Sequence, residues 1–133
     1  MAETKVAERP LSPHLQVYRW PVTMTMSILH RVTGAGLYFG ILLVAWWLIA
    51  AGAGPKQYAR VTGFFSSSFG RFILFAYTWT LIHHALGGIR HLIWDTGRGF
   101  APHEREGLAL ATIVGSIVIT LLLWIFGYLL IGG

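Results

Sequence analysis

Three long apolar blocks decide what this chain can become. They are residues 32–54 (VTGAGLYFGILLVAWWLIAAGAG), 69–94 (FGRFILFAYTWTLIHHALGGIRHLIW) and 107–133 (GLALATIVGSIVITLLLWIFGYLLIGG). The last of these carries no charge. A run of about 18 or more apolar residues with few charges is long enough to cross the hydrocarbon of a bilayer as a helix. Hydrophobic types make up 55% of the 133 residues and charged types 11%, against roughly a quarter charged in ordinary globular proteins. That leaves too little polar sequence to cover three such helices in water. The reading is an all-α membrane protein: three transmembrane helices with a polar N-terminal arm. It forms a single domain over residues 1–133, with the arm at 1–21 and helices at about 22–53, 69–95 and 107–131.

The arm contains the extended or turned stretch RPLSPH (residues 9–14), and Pro21 marks the entry to the first helix. A polar N-terminus followed by a long apolar block without a small-residue cleavage site does not read as a signal peptide. GAGPKQYARVTGFFSSS (52–68) and DTGRGFAPHEREG (95–107) are the two connections, the second marked by Gly97, Gly99 and Pro102.

The net charge is +5, yet the basic residues flank the apolar blocks instead of forming a patch, so no nucleic-acid partner is expected. Lys5, Arg9, Arg19, Arg31, Arg90, Arg98 and Arg105 lie around the first helix entry and the second connection. Only Lys56, Arg60 and Arg71 lie between the first two helices. By the positive-inside rule the N-terminus is inside, on the cytoplasmic or matrix side, and the chain is multi-pass in the lipid bilayer. The absence of cysteine excludes a Cys-ligated iron–sulfur cluster and any disulfide within the chain. Gly36 and Gly40, and Ala111 and Gly115, are spaced for close helix approach. GAGLYFG (34–40) lacks the spacing and the preceding strand of a dinucleotide loop.

LIHHALGGIRHLIWD (81–95) carries three histidines, an arginine and an aspartate within an apolar segment. At about 100° per residue, His84, Gly88, His91 and Asp95 fall within a stripe about 60° wide, while His83 lies about 100° from His84. Gly87 and Gly88 form a notch of small residues between His84 and His91. His84 lies about 16 Å deeper along the helix than Asp95. An ionisable group at such depth faces protein or a pathway. Three readings stand for His84: a packed, hydrogen-bonded histidine, a member of a proton relay, or an axial haem ligand with glycines making room for the macrocycle. The third helix has no histidine and the first has only His30, so a second haem ligand most simply comes from another polypeptide. In TMTMSILHRVTG (23–34), Ser27, His30, Arg31 and Gly34 share a face about 100° wide, with Gly36 and Gly40 opposite. That face reads either as an interfacial anchor or as a ligand pocket, with a serine hydroxyl and a fixed positive charge.

RPLSPHL, SILHRVTG and HALGGIRHLIWD, in this order and spacing, resemble the cytochrome b (large membrane-anchor) subunits of succinate dehydrogenase, respiratory complex II. The likeness runs over about residues 8–130, and the combination of S-x-x-H-R-x-[ST]-G with H-x-x-x-G-x-R-H is specific. The resemblance implies that His84 ligates haem b, that Ser27 and Arg31 belong to a ubiquinone site, and that His30 and Arg31 lie near the haem propionates. His91 and Asp95 are candidate proton carriers, and His83 has no counterpart. It further implies three partners: a flavoprotein subunit, an iron–sulfur subunit and a second small membrane-anchor subunit. In that setting the chain is a non-flavin subunit of a succinate:quinone oxidoreductase, in a bacterial inner (cytoplasmic) or mitochondrial inner membrane. Outside that class, the residues also admit an intramembrane proton- or ion-translocating subunit using His84 and His91, or a cofactor-free structural anchor.

Overall fold

The computed structural model describes Pro10, His14 and residues 18–131. Most of the expected polar arm, including Lys5 and Arg9, lies outside the described residues. Four helices follow in order: α1 (Val22–Gly52), α2 (Pro55–Ser66), α3 (Ser68–Asp95) and α4 (Pro102–Ile131). Helices α1, α3 and α4 are long and apolar enough to cross a membrane.

Each boundary has a local cause. α1 starts directly after Pro21, whose extended backbone (φ −65°, ψ 148°) cannot continue a helix backwards. It runs unbroken to Gly52 because no proline interrupts residues 22–54. Gly54 then takes φ 107°, a conformation that L side chains rarely adopt, and Pro55 opens α2 at its first position, where a missing N–H costs nothing. The Ser67 side chain caps α3 by accepting from the Gly70 N–H at 3.1 Å. At the far end Thr96 Oγ1 donates to Ile93 O at 2.6 Å. α4 begins with Pro102, and the Glu104 carboxylate accepts from the Ala101 N–H at 3.1 Å, half of a capping box.

Two expectations are corrected here. The connection over 52–68 is largely the helix α2, and the last helix begins at Pro102 instead of 107. α2 is 12 residues long, about 18 Å, too short for a hydrocarbon core of ~30 Å. Its aromatic side packs on α1, with Trp46 5.4 Å from Phe64 and Trp47 6.3 Å from Tyr58 between ring centroids, while Lys56 and Arg60 are exposed.

The burial pattern is inverted relative to a water-soluble bundle. Among the described residues the buried apolar side chains are Met26, Ala50, Val61 and Ala109, whereas Thr33, His83, Arg90, Thr112, Ser116 and Thr120 are buried and polar. Leu42, Leu110, Leu129 and many others point outward. Outward apolar and inward polar surfaces suit a solvent of acyl chains. Small residues let the helices close. A Cβ on Gly40 would run into the Tyr77 ring. On α4, Thr112, Ser116 and Thr120 are spaced four apart, and their hydroxyls donate to the Leu108, Ile113 and Ser116 carbonyls, so the buried seam leaves no free hydroxyl proton.

Candidate functional site

His84 sits where α3 crosses α1. Its Nδ1 lies 3.2 Å from the His30 carbonyl oxygen and 3.3 Å from Thr33 Oγ1. A carbonyl can only accept, so Nδ1 carries the proton. The Thr33 hydroxyl is committed to the Leu29 and His30 carbonyls, at 2.8 and 3.0 Å, which leaves its oxygen able to accept from the same Nδ1–H. The lone pair is therefore on Nε2, and Nε2 has no hydrogen-bond partner among the described residues. A backbone carbonyl holding one imidazole nitrogen while the other stays free is the arrangement by which proteins orient a metal-ligating histidine. The residues present thus fit an axial haem ligand at His84. Gly34 keeps the approach open: a Cβ there would come within 3.1 Å of His84 Cε1.

His30 lies flat against His84, with ring centroids 4.1 Å apart and planes 4° from parallel. Its centroid is also 5.2 Å from that of His91. The ring is seated in the space that Gly87 leaves, for a Cβ on Gly87 would sit 2.5 Å from His30 Nδ1. The expected notch therefore divides in two. Gly87 accommodates His30, and Gly88 faces open space.

Ser27 lies one turn nearer the start of α1. It is half-buried, and its hydroxyl makes no hydrogen bond among the described residues. Arg31, His91 and Asp95 are exposed at the same end of the bundle, and no ion pair joins them. The structure thus gathers Ser27, His30, Arg31, His84, His91 and Asp95 at the end of the bundle away from α2, with the His30 ring in contact with those of His84 and His91.

His83 turns away from this group. It is 1% exposed, its Nδ1 meets Ser116 Oγ of α4 at 3.1 Å, and its ring lies 5.1 Å from that of Trp79. Because the Ser116 hydroxyl donates to Ile113 O at 2.8 Å, Ser116 accepts from His83 Nδ1–H. Nε2 of His83 remains buried without a partner.

Arg90 is the residue that sequence reasoning misplaced. Counted there as a basic flank, it is 3% exposed inside the bundle. Its guanidinium carbon lies 5.2 Å from the centre of the Trp94 ring, a cation–π contact, and its Nε and Nη1 are buried without partners. The signal was available: His83, Gly87 and Arg90 are spaced i, i+4, i+7, and all three are buried. Without Arg90 the basic residues still divide six against three.

The family model described as succinate dehydrogenase/fumarate reductase transmembrane subunit matches residues 5–123. The chain belongs to this family. Among its relatives, the succinate dehydrogenase cytochrome b556 subunit of Paracoccus denitrificans is 42% identical over 122 residues, covering 92% of this chain and 94% of that protein. That of Rickettsia felis is 37% identical over 118 residues, covering 89% and 92%. The mitochondrial cytochrome b560 subunit of Bos taurus is 34% identical over 115 residues, covering 83% and 66%. The apolar exterior and the three membrane-length helices fit a transmembrane subunit of this family.

Proposed function

We propose that this chain is the large membrane anchor of a succinate:ubiquinone oxidoreductase in a bacterial inner or mitochondrial inner membrane, with its N-terminus inside. His84 would hold haem b through Nε2, with a second small anchor subunit completing the site. Haem b, when bound, supplies a one-electron carrier in the bilayer. A flavoprotein oxidises succinate, and an iron–sulfur subunit docked on the end that bears Ser27 and Arg31 delivers electrons to ubiquinone there. The observation that supports this reading most directly is the Nδ1–H of His84 held by the His30 carbonyl, with Nε2 left free.

The chain's own residues have distinct tasks. The His30 carbonyl and Thr33 fix the tautomer and ring plane of His84. His30 and Arg31 lie near the haem propionates, where positive charge and ring N–H donors are useful. The half-buried, unpartnered Ser27 hydroxyl donates to a quinone oxygen, and Arg31 stabilises the negative charge that develops as the quinone is reduced. His91 and Asp95, exposed beside them, take up protons from water.

The test is optical. In the complex purified in mild detergent, His84→Ala removes the low-spin haem absorption, and His83→Ala, which alters a contact with α4, retains it. An unchanged spectrum in His84→Ala would overturn the assignment.

A further inference from the structure

At the end of the bundle that carries α2, a cavity of about 690 Å³ opens between α1 and α4, within the ~300–1,000 Å³ that apolar ligand sites span. Trp47 of α1, Phe65 of α2, Tyr77 of α3 and Trp124 and Tyr128 of α4 stand on its walls, and Arg71 is its charged side chain. Two polar groups of the wall, Thr78 and Trp124, are paired with one another. The Thr78 hydroxyl donates to Leu74 O at 2.7 Å, and the Trp124 indole N–H donates to Thr78 Oγ1 at 3.4 Å. The lining is mainly apolar, from side chains such as Leu43, Val44, Phe65, Leu74 and Leu123.

Charge identifies the occupant. Lys56, Arg60 and Arg71 all lie at this end, and among the described residues the acidic side chains, Asp95, Glu104 and Glu106, lie at the other. Arg71 has no ion pair and no side-chain hydrogen bond among the described residues. α2, with Lys56 and Arg60 outward and its aromatic side inward, has the character of an interfacial helix lying at headgroup level. An apolar slot beneath a headgroup-level helix, with an uncompensated arginine on its wall, matches an amphiphile with acyl tails and a phosphate.

We propose that this cavity is a specific phospholipid site, in which the acyl tails of one anionic phospholipid fill the gap between α1 and α4 and its phosphate pairs with Arg71. The site is independent of the haem and quinone reading, since it lies at the other end of the bundle. Its guanidinium offers the phosphate two parallel N–H donors, and the tails remove the void that would otherwise separate two helices in the bilayer.

Native mass spectrometry of the lipid-stripped complex tests this, with dioleoyl phosphatidylglycerol titrated against dioleoylglycerol, which has the same tails and no phosphate. Hydrogen bonds to charged groups are worth about tenfold to a hundredfold in affinity, so one phosphatidylglycerol is retained at about a tenth or less of the dioleoylglycerol concentration. Arg71→Gln erases that preference and Arg71→Lys keeps most of it. Gly127 lines the cavity, and a Cβ there meets nothing within 4 Å, so Gly127→Leu fills the space without a clash. It weakens both lipids while leaving Arg71 in place. Full phosphatidylglycerol binding in Arg71→Gln, or in Gly127→Leu, would overturn the proposal. So would the absence of a retained lipid, which is the result expected if a partner helix fills the gap, or displacement of the lipid by stoichiometric ubiquinone.

Discussion

His30 and His84 come from helices that are far apart in sequence, yet their rings stack at 4.1 Å and within 4° of parallel. The main chain of His30 also receives the proton of His84 Nδ1. One residue of α1 therefore sets both the plane and the tautomer of the histidine on α3. Thr33, one turn further on, adds its oxygen to the same nitrogen. The arrangement depends on close approach of the two helices, and Gly87 provides the space for it.

Gly87 and Gly88 are neighbours in sequence with opposite expectations. Gly87→Ala places a methyl group 2.5 Å from His30 Nδ1, and the ring cannot yield without leaving its stack on His84. Overpacking of this kind costs about 1–3 kcal/mol. At Gly88 a Cβ meets nothing within 4 Å, so alanine is neutral or gains up to about 1 kcal/mol of helix propensity. Thermal unfolding of the purified complex separates the two, and the visible spectrum should shift only in Gly87→Ala. Equal melting of both variants would contradict the packing described.

His83 supplies a second contrast. Ser116→Ala strips the hydrogen bond from a buried imidazole, leaving both ring nitrogens unpaired at a cost of about 1–3 kcal/mol. The complex should melt earlier, with its visible absorption and quinone kinetics unchanged, because this contact binds α3 to α4 and touches neither Ser27 nor His84. A loss of haem absorption in Ser116→Ala would show that His83 does more than hold the helices together.

Reporter fusions check the threading. A fusion within α2 near Lys56 and one near Arg98 should report opposite sides of the membrane, the Arg98 fusion inside, because α2 does not cross and α3 does. Reports from the same side would rule out three spans.

The spans were legible because a run of apolar residues has one destination in a chain with so few charges. α2 was not, because residues 55–66 contain no apolar run. Their helix is held by Phe64, Phe65 and Tyr58 packing on Trp46 and Trp47 of α1, contacts that exist only after α1 has formed. Arg90 was hidden by the assumption that a basic residue near a span end belongs to the flank. The faces of α1 were read as rigidly opposed, with His30 and Gly34 on one side and Gly36 and Gly40 on the other. In the structure both rows meet α3: Gly34 meets His84, Gly36 meets Thr80 and Gly40 meets Tyr77. The buried positions Met26, Thr33 and Gly40 recur every seven residues, and such a line drifts by ~20° per heptad around a straight helix. The contact seam thus runs between the two rows and touches both. Of the polar face, Ser27 and Arg31 stay outside the seam while His30 is drawn into it.

That exclusion carries the last prediction. Ser27 is half-buried with an unused hydroxyl, and Arg31, one turn later, is exposed and pairs with no carboxylate among the described residues. Neither side chain holds the bundle together, so truncating either should leave the fold intact. A quinone has an apolar tail that enters from lipid and a head that must meet donors and water as it gains electrons and protons. The start of α1 offers both settings within one turn. Removing a hydrogen bond to a charged group costs about 1.5–3 kcal/mol, roughly tenfold to a hundredfold in rate when it acts only in the transition state. Ser27→Ala and Arg31→Ala should therefore lower succinate–ubiquinone activity by such factors, while succinate oxidation by an artificial dye and the thermal stability of the complex stay at the level of the unaltered protein. Lysine at position 31 should recover part of the loss, since it keeps the charge but not the planar fork of donors. Normal quinone kinetics in both alanine variants, with the complex assembled, would reduce this end of α1 to an interfacial anchor.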